Sequence, residues 1–419
     1  MNGLFRLIHS RGMIMRQELP LLTPLRGFAA LIVAYFHARL VLFPQWRDSI
    51  SAHTQFLEVG FIWVDLFFIL SGYVMMHVYH RSLSGSLQFS QWRRFMWLRF
   101  SRIYPLYVTT LLILVGWESV KYLTGIAFYG GPLLHEWGFT GIPAFQGPFN
   151  HLSALPANLF LLQSLGNLSL SWNFPGWSLS VEWLCYMLFP LIIGLLPYGA
   201  KRNVWLPLLM LFVLYQMTLQ VGTIDITSGP KALFRALCGF VTGMWLCQLS
   251  LPTWLKKMIN HDSLLFGISA AIVYLLHLGP DLHLNMAVYL LFIALVLCAA
   301  NQTSRTSWFI RLFDNRFTRF IGDISYSVYL WHAVILLVGV DALHHFYPAF
   351  VRWWYAQTTI TALLGAIGLF TVILIGLSTF SYRYLERPAL RALRRWQWPA
   401  TSADSNAPNS QTNAEDLSK

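Results

Sequence analysis

The sequence predicts an all-α fold: a polytopic transmembrane helix bundle of about ten spans with both termini cytoplasmic. Three observations carry this expectation. Of 419 residues, 56% are hydrophobic and only 11% are charged, against about 25% charged in an ordinary soluble domain. So few charges cannot cover the surface of a soluble chain of this size. The apolar residues gather into runs of about 20, the length that crosses a hydrocarbon core. The basic residues collect in alternate loops between those runs. The net charge of +12 therefore reads as membrane topology rather than as an affinity for nucleic acid. Composition excludes an ordinary cytoplasmic enzyme, a disordered chain and a nucleic-acid binder.

Residues 1–20 carry Arg6, Arg11, Arg16 and Glu18 and lack the apolar core of a cleavable signal. They are expected to be a cytoplasmic segment preceding a membrane domain over 21–398. Spans are expected at 24–43, 56–80, 103–120, 177–196, 204–221, 231–250, 263–279, 285–300, 320–340 and 358–382. With the loops numbered alternately, 22 of the 29 lysines and arginines fall on the side of the N-terminus. That asymmetry makes this side cytoplasmic. The longest loop, 121–176, lies outside and is rich in Gly, Pro, Asn and aromatic residues. Within it Pro156–Leu165 is apolar but too short to span, so it is expected to be an interfacial or re-entrant helix. Residues 399–419 are polar and are expected to be a disordered tail. No internal repeat is evident, which counts against transporter folds built from duplicated halves. The four cysteines (185, 238, 247 and 298) sit in apolar runs and have no metal-ligand spacing, so no metal is implied.

Ionisable residues inside spans are costly and default to a functional reading. The first span carries Arg26 and His37. Eleven residues bring a helix back to within about 20° of one face over a rise of about 16 Å. One face thus presents a guanidinium at the inner end and an imidazole past the midplane, separated by about the reach of a pantetheine arm. A phosphate anchor and a distant imidazole suit a CoA thioester; a snorkelling arginine and a histidine satisfied by a neighbouring helix is the plainer account. Asp65 in the second span is expected at the depth of His37, where it would fix the imidazole tautomer, or else pair with an arginine. Ser71–Gly72 lie deeper and suit close helix packing; Ser71 as a nucleophile has no evident neighbouring base. Glu182, within Trp177–Trp183 (WSLSVEW), is expected near the His37 layer as an acceptor-binding or acid–base group, or as an interfacial residue of an aromatic belt. Arg99 and Arg102 share a helical face and suit a diphosphate, although basic loops alone explain basic residues there. His332, in SYSVYLWH (325–332), lies near the midplane, facing substrate or another helix. With Tyr329, Trp177 and Ser178 it makes up the candidate acceptor contacts. Glu386 is expected to pair locally with Arg383 or Arg387.

Seven pieces in order resemble the acyltransferase 3 family of integral-membrane acyltransferases. They are Arg26-Gly-Phe…His37, VDLFFILSGYVM (64–75), RFSRIYP (99–105), WSLSVEW (177–183), FRALCGFVTGM (234–244), SYSVYLWH (325–332) and YLERP (384–388). Together they cover about 365 residues. The resemblance implies transfer of an acyl group, usually acetyl, from cytoplasmic acyl-CoA to a hydroxyl of a surface or secreted saccharide. It implies that His37 and Arg26 are the essential pair, that Arg99 and Arg102 serve the acetyl-CoA side, and that Glu182 is the glutamate of the family's tryptophan–serine motif. Trp183-Leu184 departs from the commoner Gln-Phe wording after that glutamate. The chain ends after its tenth span, so the hydrolase-type domain of some members is not expected. A second transfer step would need a separate periplasmic acyltransferase. The expected location is the bacterial inner membrane. The competing reading is a secondary transporter or flippase, which intramembrane charge and ten spans suit equally.

Overall fold

The computed structural model describes residues 19, 21–83, 88–166, 168–196, 204–302 and 308–395. The N-terminal segment before Leu19 and the tail after Arg395 lie outside the described residues. Among the described residues the chain is helical, with two isolated β-bridges in the 126–151 loop. The principal helices are α1 (Leu22–Val41), α2 (Trp63–Leu83), α3 (Phe89–Thr124), α4 (Gly176–Leu195), α5 (Trp205–Val221) and α6 (Gly229–Gln248). They continue as α7 (Asp262–Leu278), α8 (Leu282–Ala300), α9 (Arg316–Asp323), α10 (Ser325–Val334), α11 (Ile360–Ser381) and α12 (Arg387–Arg395).

A helix occupies each of the ten apolar stretches. Seven are long and apolar enough to cross a membrane, and an eighth counts if Thr253–Ile259 and α7, bent by 60°, form one span. The remaining two are α5, which has 17 residues, and α6, which carries Lys231 and Arg235. The chain is an integral membrane protein. Two spans run on past their apolar run. One is α10, which continues through a π-turn at Ile335–Gly339 to Phe346; the other is α11, which continues through a π-turn at Tyr382–Glu386 into α12.

Close backbone contact sets the centre of the bundle. A Cβ on Gly72 of α2 would lie 1.9 Å from the Phe240 carbonyl oxygen, and one on Gly243 of α6 would lie 2.0 Å from that of Ile69. Only glycine permits such an approach, the small-residue packing expected at Ser71–Gly72. At the other end of α1, Gly27 and Gly322 bring α9 equally close.

The long loop between α3 and α4 is anchored from its base. Lys121, at the end of α3, is buried with its amine 2.6 Å from Glu118 and 3.5 Å from Asp341. Glu118 accepts from the Phe145 amide and from Asn150, while Asp341 accepts from the amides of Tyr129 and Gly130. Two helices thereby hold the loop's backbone donors. The apolar stretch 156–165 is not one helix. It forms a turn of helix at Leu155–Leu159 and a 3-10 turn at Gln163–Leu165. Asn158 and Gln163 break it by turning inward to Tyr107, Ser171 and Gly176, whose buried polar groups need partners.

Candidate active site

Depth is set by the antiparallel run of α1 and α2. Gly60, just before α2, packs against Phe36 near the C-terminal end of α1, here called the outer end, and inward means from there towards Arg26. Eleven residues inward along each chain bring Ser71 roughly level with Arg26, and five bring Asp65 roughly level with Leu31. Asp65 is therefore about 9 Å inward of His37 along the helix axis. Its carboxylate is fully engaged elsewhere: Oδ1 accepts from Arg235 Nε at 2.9 Å and Oδ2 from Nη2 at 2.8 Å. Both side chains are fully buried, Asp225 approaches Nη1 at 3.3 Å, and the ring of Trp177 lies 5.3 Å from the guanidinium. Of the two expectations for Asp65, the arginine pair is the one formed; it does not orient His37.

A second histidine stands there instead. His37 Nδ1 is 3.0 Å from the Val33 carbonyl oxygen and 3.2 Å from His332 Nε2. His332 Nδ1 is 3.3 Å from the Val328 carbonyl oxygen. The two rings stack at 5.1 Å and 15°. A carbonyl can only accept, so each Nδ1 carries hydrogen. The His332 Nε2 lone pair then faces the His37 Nδ1–H, and the Nε2 of His37 is left as a free lone pair with no hydrogen-bond partner among the described residues. Phe174 closes the pair with its ring edge, 4.7 Å from His37 and 5.9 Å from His332. Sequence placed His332 near the midplane facing a substrate or a helix. Its partner, 295 residues away, was invisible to periodicity.

Inward of the histidines a column of polar groups continues. The Tyr329 and Ser178 hydroxyls are 2.7 Å apart, and the Tyr329 ring packs 5.8 Å from His332. One turn further along α4, Glu182 accepts from Ser71 Oγ at 2.6 Å and from the Tyr186 hydroxyl. Glu182 was expected beside His37. It sits instead with Ser71 and Tyr186 among the charges that act on Arg26, together with Arg102 and Asp323. Its hydrogen bond with Ser71, roughly level with Arg26, sets that depth. Arg26 makes no hydrogen bond or ion pair with any described residue, leaving its N–H donors free for a ligand. Trp177 lies against Phe68 and Arg235 rather than in this column.

At the inner end Arg102 lies 3.6 Å from Glu386 and Arg99 donates to the Tyr79 hydroxyl. Glu386 also accepts from Ser327. Its expected local pairing with Arg383 or Arg387 is not the ion pair formed: the π-turn at Tyr382–Glu386 aims the carboxylate across at α3 and α10. From the histidines to Arg99 and Arg102, the arrangement is a polar axis through an apolar bundle. It offers a free imidazole lone pair at one end and guanidiniums at the other.

An acyltransferase domain model, that of the acyltransferase 3 family, matches residues 22–379. The chain belongs to this family of membrane acyltransferases. It is 25% identical over 393 residues to the O-acetyltransferase OatA of Staphylococcus aureus, covering 88% of this chain and 57% of that relative. It is 32% identical over 191 residues to the acyltransferase MdmB of Streptomyces mycarofaciens, covering 45% and 42% of the two chains. The match thus spans little more than half the length of the first relative and less than half of the second. No solved structure matches it.

Proposed function

We infer that the protein is a membrane O-acetyltransferase. In this reading it moves an acetyl group from acetyl-CoA, entering from the cytoplasm, to a hydroxyl of a saccharide on the outer side of the bacterial inner membrane. The observation that carries the reading is His37, with Nδ1 held by Val33 and His332 and Nε2 free. An imidazole so fixed is a general base for an acceptor hydroxyl. Arg99, Arg102 and Arg26 receive the donor's anionic end, and the rise of about 16 Å from Arg26 to His37 matches the pantetheine arm. The acceptor's hydroxyl loses its proton to His37 Nε2 as its oxygen attacks the thioester carbonyl. The C–S bond breaks and the thiolate leaves as CoA, taking up that proton. Tyr329 and Ser178, beside the histidine pair, contact the acceptor, and Glu182 lines the donor arm. The names OatA and MdmB, an O-acetyltransferase and an acyltransferase, support the reaction class.

The test uses membranes bearing wild type or His37→Ala, acetyl-labelled acetyl-CoA and a mixed glycan extract, with base-labile label followed. His37→Ala should cost at least about 10²-fold in transfer rate. Near-normal transfer by that variant would remove His37 from the chemistry. Uptake of labelled saccharide without covalent change would favour a transporter.

A further inference from the structure

The helix α12 lies beyond the residues matched by the family model, yet it reaches the inner end of the polar axis. Trp97 Nε1 donates to the Leu393 carbonyl oxygen at 2.9 Å and pins α12 along α3. The next residue, Arg394, thereby sits beside Arg99, and the charges acting on it include those of both Arg99 and Arg102. It forms no hydrogen bond with any described residue. Its Nε and that of Arg99 are both shut off from solvent without a partner among the described residues. Buried N–H groups are ordinarily satisfied, and like charges gathered at a protein surface repel. Glu386 and Asp323 offset Arg102 and Arg26, but among the described residues no carboxylate offsets Arg394. A cluster of this kind is completed by a multiply charged anion with several acceptor oxygens.

The order of the three arginines assigns them. Of the three, Arg102 is the one whose charge acts on Arg26, Arg99 lies one turn further from His37, and Arg394 is eight residues along its helix from Glu386, the partner of Arg102. Moving away from His37, a CoA molecule presents its diphosphate first and the 3′-phosphate of its ribose beyond it. We propose that Arg394 completes the donor site by binding the ribose 3′-phosphate, while Arg99 and Arg102 hold the diphosphate. This rests on the donor reading above and adds a specificity element to it, selection of CoA over its 3′-dephospho form.

The full chain in zwitterionic lipid nanodiscs is titrated with CoA and with dephospho-CoA. Wild type should bind CoA about tenfold or more tightly than dephospho-CoA, the worth of one charge-assisted phosphate contact. Arg394→Gln should bring CoA down to the dephospho-CoA level and leave dephospho-CoA binding unchanged, which also shows that the variant is folded. Arg391→Gln, on the exposed side of α12, should behave as wild type. Equal weakening of both ligands by Arg394→Gln, no weakening of either, or the same loss from Arg391→Gln would overturn the assignment and leave the donor reading standing. A preference for CoA that disappears once the discs contain anionic phospholipid would give the site to a lipid headgroup. Binding of neither nucleotide by wild type would overturn the donor reading together with this one.

Discussion

Asp65→Asn separates a structural carboxylate from a catalytic one. Wild-type Asp65 accepts two hydrogen bonds from Arg235, at 2.9 and 2.8 Å, and neither side chain has any solvent exposure. The amide of asparagine keeps one acceptor, but turns an N–H towards the guanidinium in place of the other. Arg235 would then retain a buried positive charge whose only ionic partner among the described residues is Asp225, 3.3 Å away and 36% exposed. Removing one member of a buried pair costs about 3–5 kcal/mol, a large part of the roughly 5–15 kcal/mol that holds a typical fold. Removing both members with apolar residues of similar volume is often neutral. The double variant Asp65→Leu/Arg235→Met should therefore regain most of the loss, because Asp225 can turn to water. Unfolding in mixed micelles of rising sodium dodecyl sulfate, followed by circular dichroism, measures both variants against wild type. Acyl transfer by the double variant should stay within about threefold of wild type, since buried structural pairs act on stability rather than chemistry. A loss under about 1 kcal/mol in Asp65→Asn, or a folded double variant inactive by about 10²-fold, would refute the argument.

Other outcomes follow from the same packing. Gly243→Ala places a methyl group 2.0 Å from the Ile69 carbonyl oxygen; α2 and α6 must part, at the upper end of the roughly 1–3 kcal/mol typical of overpacking, read by the same unfolding assay. Lys121→Met strands Glu118 and Asp341 without their shared cation, so the 126–151 loop should become sensitive to protease added to the protein in lipid nanodiscs. Glu58 supplies a pH dependence. Burial alone would raise its pKa, but hydrogen bonds from Arg39 and Arg47 overrule this and hold it below the usual 4.5. A depressed carboxylate stabilises fully above its unfolded value and loses that contribution as pH falls through the folded one. Wild type should thus lose stability below about pH 4.5 relative to Glu58→Gln, and parallel pH profiles for the two would contradict this.

Periodicity along one chain gives a residue's depth and face, but not the neighbour it meets. Hence the ten helices, the shared face of Arg26 and His37, and the close packing at Gly72 were legible in the sequence. The partners were not: His37 with His332, Asp65 with Arg235, Glu182 with Ser71 and Lys121 with Asp341 are each more than 100 residues apart. Even the depth of Asp65 and Glu182 came out too shallow. Counting from loop ends treats both helices as starting at the membrane face, whereas the contact of Gly60 with Phe36 begins α2 several residues inside the outer end of α1. The local pairing expected of Glu386 with Arg383 or Arg387 failed for another reason: an i,i+3 pair such as Arg383–Glu386 assumes a regular helix, and the π-turn at Tyr382–Glu386 breaks that register.

This division of carboxylates bears on how the site works. With Asp65 committed to Arg235 and Glu182 to Ser71 and Tyr186, the imidazole of His37 is backed by a neutral ring rather than by an anion. A neutral acceptor fixes the tautomer and leaves the Nε2 lone pair available for the general-base role proposed above. His332→Gln tests this positioning role. Its side-chain amide can still accept from His37 Nδ1, whereas the methyl groups of His332→Leu cannot. If His332 acts through that contact, glutamine should recover most of the transfer rate that leucine loses, with the Michaelis constant for acetyl-CoA unchanged in both. Equal loss in the two variants, or a loss confined to donor affinity, would mean that His332 serves packing or substrate and that Val33 alone sets the tautomer.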